Sequence, residues 1–161
     1  ACMALGTAAF VPVVSEAAEG NLVQNGDFEN KLTGWTVTGS KAAADLASKA
    51  GDVRDKGALH YWLDQSFEFK AEQTLQTVPD GIYTLSCWTQ GGGGEESVTL
   101  YAVCDGTRLT AAAKNDGWNK WHQWTVPGIA VTGGQVTVGV SVVGNANNWG
   151  SVDDITLVPQ Q

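Results

Sequence analysis

Apolar and polar residues alternate with a period of two in several short runs after Gly20. The run "GIYTLSCWTQ" places Tyr83, Leu85 and Cys87 on one side and Ile82, Thr84, Ser86 and Trp88 on the other. Similar runs are "SFEFKAEQTL", "SVTLYAVC" and "QVTVGVSVVG". Their apolar sides are Phe67, Phe69, Ala71 and Leu75, then Val98, Leu100 and Ala102, then Val136, Val138, Val140 and Val142. This alternation in β-branched and aromatic runs predicts half-buried β-strands.

Turn-forming residues separate these runs. They include "PDG" at 79–81, "GGGG" at 91–94 and "TGG" at 132–134. About eight short strands with such spacing predict an all-β fold, a two-sheet β-sandwich of the jelly-roll type. The exception is the segment 40–52, where helix-forming residues lead to a glycine near the end. This segment predicts a short helix or an irregular strand equally well.

The first twenty residues differ from the rest of the chain. Residues 1–20 are small, apolar and rich in alanine, which predicts a signal-peptide remnant or a disordered leader. This segment is too short and interrupted to span a membrane, and it indicates an extracellular protein, secreted or on a bacterial cell surface. No repeat or linker interrupts residues 21–158, which we interpret as one domain, and residues 159–161 form a tail.

Charge and cysteine content exclude several classes of protein. The formal net charge of −8 disfavours nucleic acid and membranes as partners and suits a neutral ligand. We also expect a monomer. Three cysteines without CxxC spacing disfavour a disulfide framework and a zinc site. Cys87 and Cys104 are predicted to be small buried residues, with a bridge between them as the lesser alternative.

The sequence carries no motif of a hydrolase or a nucleotide-binding enzyme. It contains no GxSxG, HExxH or P-loop pattern. Asp153 and Asp154 are adjacent at the start of the last apolar run, and neighbours in one strand point to opposite faces. They therefore cannot face each other across a substrate, and we expect no enzyme activity.

The same two aspartates are candidates for binding calcium. Ca²⁺ takes six to eight oxygen ligands, and the turn "NGDFEN" at 25–30 supplies Asp27 and Glu29. If the first and last strands pair, this turn meets Asp153 or Asp154. The alternative is that Asp27 only caps a turn and the aspartate pair is a solvated strand end. The residues alone do not choose between these interpretations.

The seven tryptophans divide into core and ligand candidates. Trp35 and Trp124 begin strands and are predicted to be in the core. The ligand candidates are Trp62, Trp118 and Trp149 at strand ends or in polar loops, with weaker candidates in Trp88 and Trp121. An indole face can stack on a sugar ring, and amide or charged groups can bind its hydroxyls. Such groups near the candidates are Arg54, Asp64, Gln90, Asn119, Asn145, Asn147 and Asn148. Alternatively, loop tryptophans plug one end of the sandwich.

Several segments together resemble a known family. "NLVQNGDFENKLTGWTV" and "WGSVDDITL" resemble the first and last strands of carbohydrate-binding modules with the galactose-binding-domain-like jelly roll. "ALHYWLDQSFEFKAEQTL", followed by "GIYTLSCWTQGGG", resembles carbohydrate-binding module family 61. The resemblance covers roughly residues 21–158.

The resemblance implies a function and a metal. It implies binding of β-1,4-galactan, as in plant pectic side chains, without catalysis, and attachment to a glycoside hydrolase family 53 galactanase. It implies a structural calcium held by Glu29 and Asp153 or Asp154. The matching "HYW" and "NNWG" segments add His60 to Trp62, Asn147, Asn148 and Trp149 as sugar-site candidates. The alternatives are a surface adhesion or protein-interaction domain, or a module for xylan or β-glucan.

Overall fold

The structure, a computed structural model, describes residues 20–161. This part of the chain forms ten β-strands and one short 3-10 helix, Lys41–Ala43. The strands are β1 Thr36–Gly39, β2 Ala44–Ala47, β3 Ala58–Trp62, β4 Phe67–Leu75, β5 Gly81–Gly91, β6 Ser97–Cys104, β7 Thr107–Ala113, β8 Gly117–Val131, β9 Val136–Gly144 and β10 Trp149–Pro159. Among residues 20–161, no helix is long and apolar enough to cross a bilayer.

The strands form two five-stranded sheets in which neighbouring strands are antiparallel. The back sheet has the order β1-β4-β9-β6-β7, and the front sheet has the order β2-β3-β10-β5-β8. One hydrophobic core lies between them. The prediction of an all-β, two-sheet sandwich is therefore confirmed, with two strands more than the approximate number expected.

The core follows the predicted alternation. The apolar sides predicted for the strands in the back sheet are all buried, and so are Tyr83, Leu85 and Cys87 in the front sheet. Trp35 is also buried, as predicted, and stacks on Phe28 with 5.3 Å between ring centroids. Cys87 and Cys104 are buried and not bonded to each other, and burial raises the pKa of the Cys87 thiol to about 12.

The segment 40–52 forms a strand where it pairs with β3. Residues 44–47 are β2, and Ala44 lies opposite Tyr61 while Ala47 lies opposite Ala58. The helix alternative is wrong apart from the single 3-10 turn that precedes β2. Pairing with β3 overrides the helix propensity of these alanines, because propensity is a weak preference that tertiary contacts readily exceed.

The two ends of the described chain meet beside β10. Leu22 N donates to Leu157 O at 3.0 Å, and Ile155 N donates to Gly26 O at 2.9 Å. A Cβ at position 26 would collide with the Ile155 carbonyl oxygen, so this approach requires glycine. β10 ends one residue beyond the predicted domain boundary, at Pro159. The leader predicted for residues 1–20 lies, except for Gly20, outside the described residues.

The alternation in β5 generates a stability prediction. Leu85 is fully buried, so Leu85→Ala should lower the free energy of unfolding by ~2–5 kcal/mol through the cavity it leaves. Ile82 lies on the other face of the same strand and is 53% exposed, so Ile82→Ala should change it by less than about 0.5 kcal/mol. Urea unfolding measures both. Equal losses would mean that the two faces are assigned incorrectly.

Candidate functional site

Most ligand candidates converge on the outer face of the front sheet, opposite the core. In β3, β10 and β5 the outward positions alternate with core residues. They carry His60 and Trp62, then Trp149, Ser151 and Asp153, then Ser86, Trp88 and Gln90. Ser151 lies opposite both His60 and Gln90 in the register of the sheet. The fold thus brings three sequence segments onto one surface.

Trp62 and Trp149 are side by side at one end of this face. They occupy directly opposite positions of β3 and β10. Side chains at opposite positions of an antiparallel pair have Cβ atoms only ~4.5–5.5 Å apart. Trp62 is 47% exposed and Trp149 is half-buried. This pair supplies two adjacent indoles at the surface.

Trp149 follows the polar loop 145–148, which is held by its own asparagines. Asn148 Oδ1 accepts from Asn145 N at 2.6 Å, and Asn148 Nδ2 donates to Gly93 O at 3.3 Å. Asn147 N donates to Leu63 O at 2.7 Å, while its side chain is exposed at a left-handed backbone position, φ 67°. The Asn148 amide is thus engaged within the protein, and the exposed Asn147 side chain is accessible to a ligand.

Residues 48–54, which we call the strap, lie across the outer face. They follow β2 at one edge of the sheet, yet Arg54 reaches Trp88 on β5 with its guanidinium carbon 3.7 Å from the ring centroid. Arg54 Nε also binds Asp154 Oδ2 at 2.8 Å. The cation therefore covers one face of Trp88, and the indole supports Arg54.

A protruding segment of β8 meets the strap from the opposite edge. Four residues, 118–121, lie between the β8 partners of Thr89 and Gly91, where β5 has Gln90 alone. Asn119 N donates to Gln90 Oε1 at 2.8 Å, and Gln90 Nε2 donates to Ser151 Oγ at 3.1 Å. Gln90 and Ser151 are both fully buried. Gln90 therefore anchors the protruding segment, and its two amide ends already have protein partners.

Trp118 joins this segment to the strap. Its Nε1 donates to Asp52 Oδ1 at 3.0 Å, and its six-membered ring lies against Gly51, where a Cβ would collide with it. Trp118 is nevertheless 59% exposed. One part of the ring is thus fixed by the strap, while the rest is open to solvent.

His60 lies beside the strap. Burial lowers the pKa of its imidazole, against the opposing effect of the Asp52 and Asp45 carboxylates, so His60 is uncharged at neutral pH. Together with Asp52, it lines a depression of about 200 Å³. Asp64 is exposed after β3, beyond Trp62. A neutral imidazole can both donate to and accept from hydroxyl groups.

The adjacent aspartates sit where β10 changes neighbours. β3 pairs with β10 up to Val152, residues 22–26 bond to it from Ile155 onward, and the register with β5 shifts between Asp153 and Thr156. Asp153 is 1% exposed and accepts from Arg54 N at 3.0 Å and Asp154 N at 2.7 Å. Burial raises the pKa of Asp153 to about 7. A buried carboxylate of this kind is a suitable cation ligand.

The other calcium candidates lie on the turn 25–30, which contacts β10 through the backbone of Gly26. Asp27 Oδ1 accepts from Glu29 N at 3.2 Å, as expected for a turn cap, and Glu29 Oε2 lies 3.5 Å from Lys56 Nζ. Within residues 20–161, no three acidic, histidine or cysteine side chains are grouped as metal ligands. Asp153 is a buried carboxylate whose oxygen chemistry suits Ca²⁺, whereas Asp154 is paired with Arg54.

Three residues that shape the face were not identified by sequence reasoning. Asp52 and Gly51 fix Trp118, and Gly92 lies against the Trp149 ring. The run of four glycines was interpreted only as a turn. The length of this run exceeds what a tight turn requires, and this excess is the one feature of the sequence that indicates a further role for these glycines.

Comparisons with solved structures agree with the two-sheet fold. The structure of TmCBM61 in complex with β-1,4-galactotriose matches with a TM-score of 0.82 and 29% identity, covering 87% of this chain and 99% of that chain. A xylan-binding domain of family 22 matches with a TM-score of 0.58 and 16% identity, covering 88% of this chain and 97% of that chain. The family 11 module of a Clostridium thermocellum cellulase matches with a TM-score of 0.52 and 14% identity, covering 89% of this chain and 97% of that chain.

No protein-family model and no curated protein sequence matches the chain. The two matches below 25% identity show a shared fold alone. The family 61 match extends along nearly the whole of both chains, and the predicted resemblance to that family is confirmed. The chain is similar to carbohydrate-binding modules in fold and in extent.

Proposed function

We propose that the protein is a non-catalytic carbohydrate-binding module that binds β-1,4-galactan on the outer face of the front sheet. The observation that supports this most is the position of Trp149 directly opposite Trp62 at the surface of the sheet. The galactotriose bound to TmCBM61 supports the choice of ligand, because that structure is similar over 87% of this chain.

Binding would rest on ring stacking and a few accessible polar groups. The C–H face of a pyranose packs against the indoles of Trp62 and Trp149, with Trp118 as a third platform at the strap. Neutral His60, exposed Asn147 and Asp64, and the guanidinium of Arg54 are the hydroxyl partners. Hydrogen bonds to a sugar mostly replace bonds to water, so we expect weak affinity.

The biological role follows from weak, non-catalytic binding. A module that retains galactan raises the local substrate concentration for an attached or co-secreted enzyme, such as a glycoside hydrolase family 53 galactanase. The proposal includes an extracellular, monomeric protein, and the composition of residues 1–20 supports its export.

Affinity electrophoresis tests the ligand. The protein should be retarded in native gels that contain galactan and less so in gels with xylan or β-glucan. Retardation only by xylan or β-glucan would identify that polysaccharide as the ligand instead of galactan. Free migration in every gel would favour an adhesion or protein-interaction domain. Release of new reducing ends from galacto-oligosaccharides would contradict the non-catalytic assignment.

The tryptophan pair should carry the affinity. Trp149→Ala and Trp62→Ala should each weaken galactan binding by at least about tenfold, as truncating a central aromatic contact does, with a small change in melting temperature. Ile82→Ala, an exposed apolar residue at the far end of β5, is the matched control and should bind normally. A large fall in melting temperature for Trp149→Ala would identify it as a core residue.

We also propose a structural calcium at the junction of β10 with the turn 25–30. The buried Asp153 carboxylate and Glu29 are the main side-chain ligands, Asp27 lies on the same turn, and Asp154 is the alternative partner. Bound Ca²⁺ would supply the positive charge that a buried carboxylate lacks and would tie the two chain ends together. Two features support this proposal: the burial of Asp153, and the contact of Gly26 with Ile155, which brings the turn 25–30 to β10.

Chelation should distinguish the effect of the metal on stability from the binding of the sugar. Removing Ca²⁺ should lower the melting temperature, because a ligand that binds only the folded state stabilises it, and readdition should restore it. Galactan affinity of the protein that remains folded should be nearly unchanged. Asp153→Asn is expected to abolish the response to Ca²⁺ in the same melting experiment. An unchanged melting temperature on chelation of the native protein would contradict the calcium site.

A further inference from the structure

The glycine run, residues 91–94, starts at the last residue of β5, leads towards β6 and contacts the segment that carries Trp149. Gly92 N donates to Trp149 O at 3.1 Å. Gly93 O and Gly94 O accept from the side chains of Asn148 and Asn145 at 3.3 Å and 3.0 Å. The run is therefore bonded to the tryptophan and to the loop before it, which is more than a connection between two strands needs.

We propose that the glycine run is the positioning element of the sugar site and that Gly92 sets the orientation of the Trp149 indole. The inference rests on the proposed function, since it concerns how a sugar-binding ring is held. A Cβ at position 92 would lie 2.5 Å from Trp149 Nε1, 3.0 Å from Cε2 and 3.2 Å from Cδ1. Its three nearest neighbours all belong to one ring, so the Gly92 backbone packs directly on the indole.

The four glycines are needed for different reasons. Gly93 and Gly94 have φ values of 81° and 90°, which residues with side chains rarely adopt. Gly91 and Gly92 lie outside that region, so their φ values do not by themselves require glycine. At Gly91 a Cβ would meet backbone, 2.5 Å from Trp149 O and 2.8 Å from Gly150 Cα. At Gly92 the ring is what excludes a side chain, so a substitution there acts through Trp149.

A positioning element must itself be fixed, and the glycine run is fixed at both ends. At one end Gly91 pairs with Gly150 of β10 and Gly117 of β8. At the other end Glu95 Oε1 accepts from Tyr61 OH at 2.7 Å and from Asn115 Nδ2 at 3.3 Å. Tyr61 and Asn115 are buried, and such networks are rigid when their groups are paired.

The test is a comparison of two glycine substitutions in β5 and its extension. Gly92→Ala should weaken binding to galactan in affinity electrophoresis by about tenfold or more, because the indole must turn away from the position that the sugar requires. Gly81→Ala is the matched control. Its Cβ would make ordinary contact, 3.5 Å from the Tyr83 ring, and its backbone is also unstrained, so it should bind normally.

A double-mutant cycle distinguishes positioning from general damage. In the Trp149→Ala background, Gly92→Ala should cause no further loss of affinity and no loss of melting temperature, because the ring that it displaces is absent. If Gly92→Ala alone fails to fold, restored folding of Gly92→Ala/Trp149→Ala supports the same coupling. Independent losses in the double variant would overturn the inference.

The spectroscopic signature of the ring gives a second readout. In protein labelled with 5-fluorotryptophan, the ¹⁹F resonance that disappears in Trp149→Phe should shift in Gly92→Ala, while that of core Trp35 should not. Normal galactan binding by Gly92→Ala would overturn the inference and leave the proposed function intact. Absence of galactan binding by the unsubstituted protein would instead overturn the proposed function.

Discussion

The candidate site depends on how β10 divides its backbone hydrogen bonds among three neighbours. β5 lies along one side, while β3 and then residues 22–26 share the other. Backbone groups buried in a sandwich must be paired, so the change of partner is confined to one short irregularity. Asp153 is the last outward residue before that irregularity and accepts a hydrogen bond from Arg54 N, while the irregularity puts Asp154 at φ 48°, where it pairs with Arg54 Nε. Before it, the regular pairing puts Trp149 opposite Trp62.

Much of the fold was predictable because the sandwich core obeys a local rule. In a strand that buries one face, apolar residues occupy every second position. The buried sides of β4, β5, β6 and β9 show this period of two. The rule fails at residues 40–52, where the pairing partner decides the structure and the composition does not. The same rule does not predict the protruding segment 118–121, because that segment depends on its contacts across the sheet and not on a local alternation.

The site was predictable in residue type but only partly in role. A tryptophan in a polar loop indicates a surface ring, and Trp62 and Trp118 are exposed as expected. The polar candidates divide in a way that the sequence does not encode. Gln90 and Asn148 use their amides to hold the protein together, whereas Asn147 and Asp64 are exposed. Whether an amide bonds within the protein or is accessible to a ligand depends on long-range contacts. Such contacts produce no pattern in the residues next to it in the sequence.

Under the proposed function, this division of the polar groups bears on how a neutral sugar would be bound. Exposed polar groups exchange one hydrogen bond for another on binding, so they discriminate among sugars more than they add affinity. The affinity must then come from ring contacts, and a ring that is free to rotate would lose entropy when it binds. Polar groups that fix the rings therefore also contribute to affinity, by reducing the entropy that is lost on binding. Asp52, the Gln90 amide and the glycine run act in this way, by deciding in advance where Trp118 and Trp149 stand.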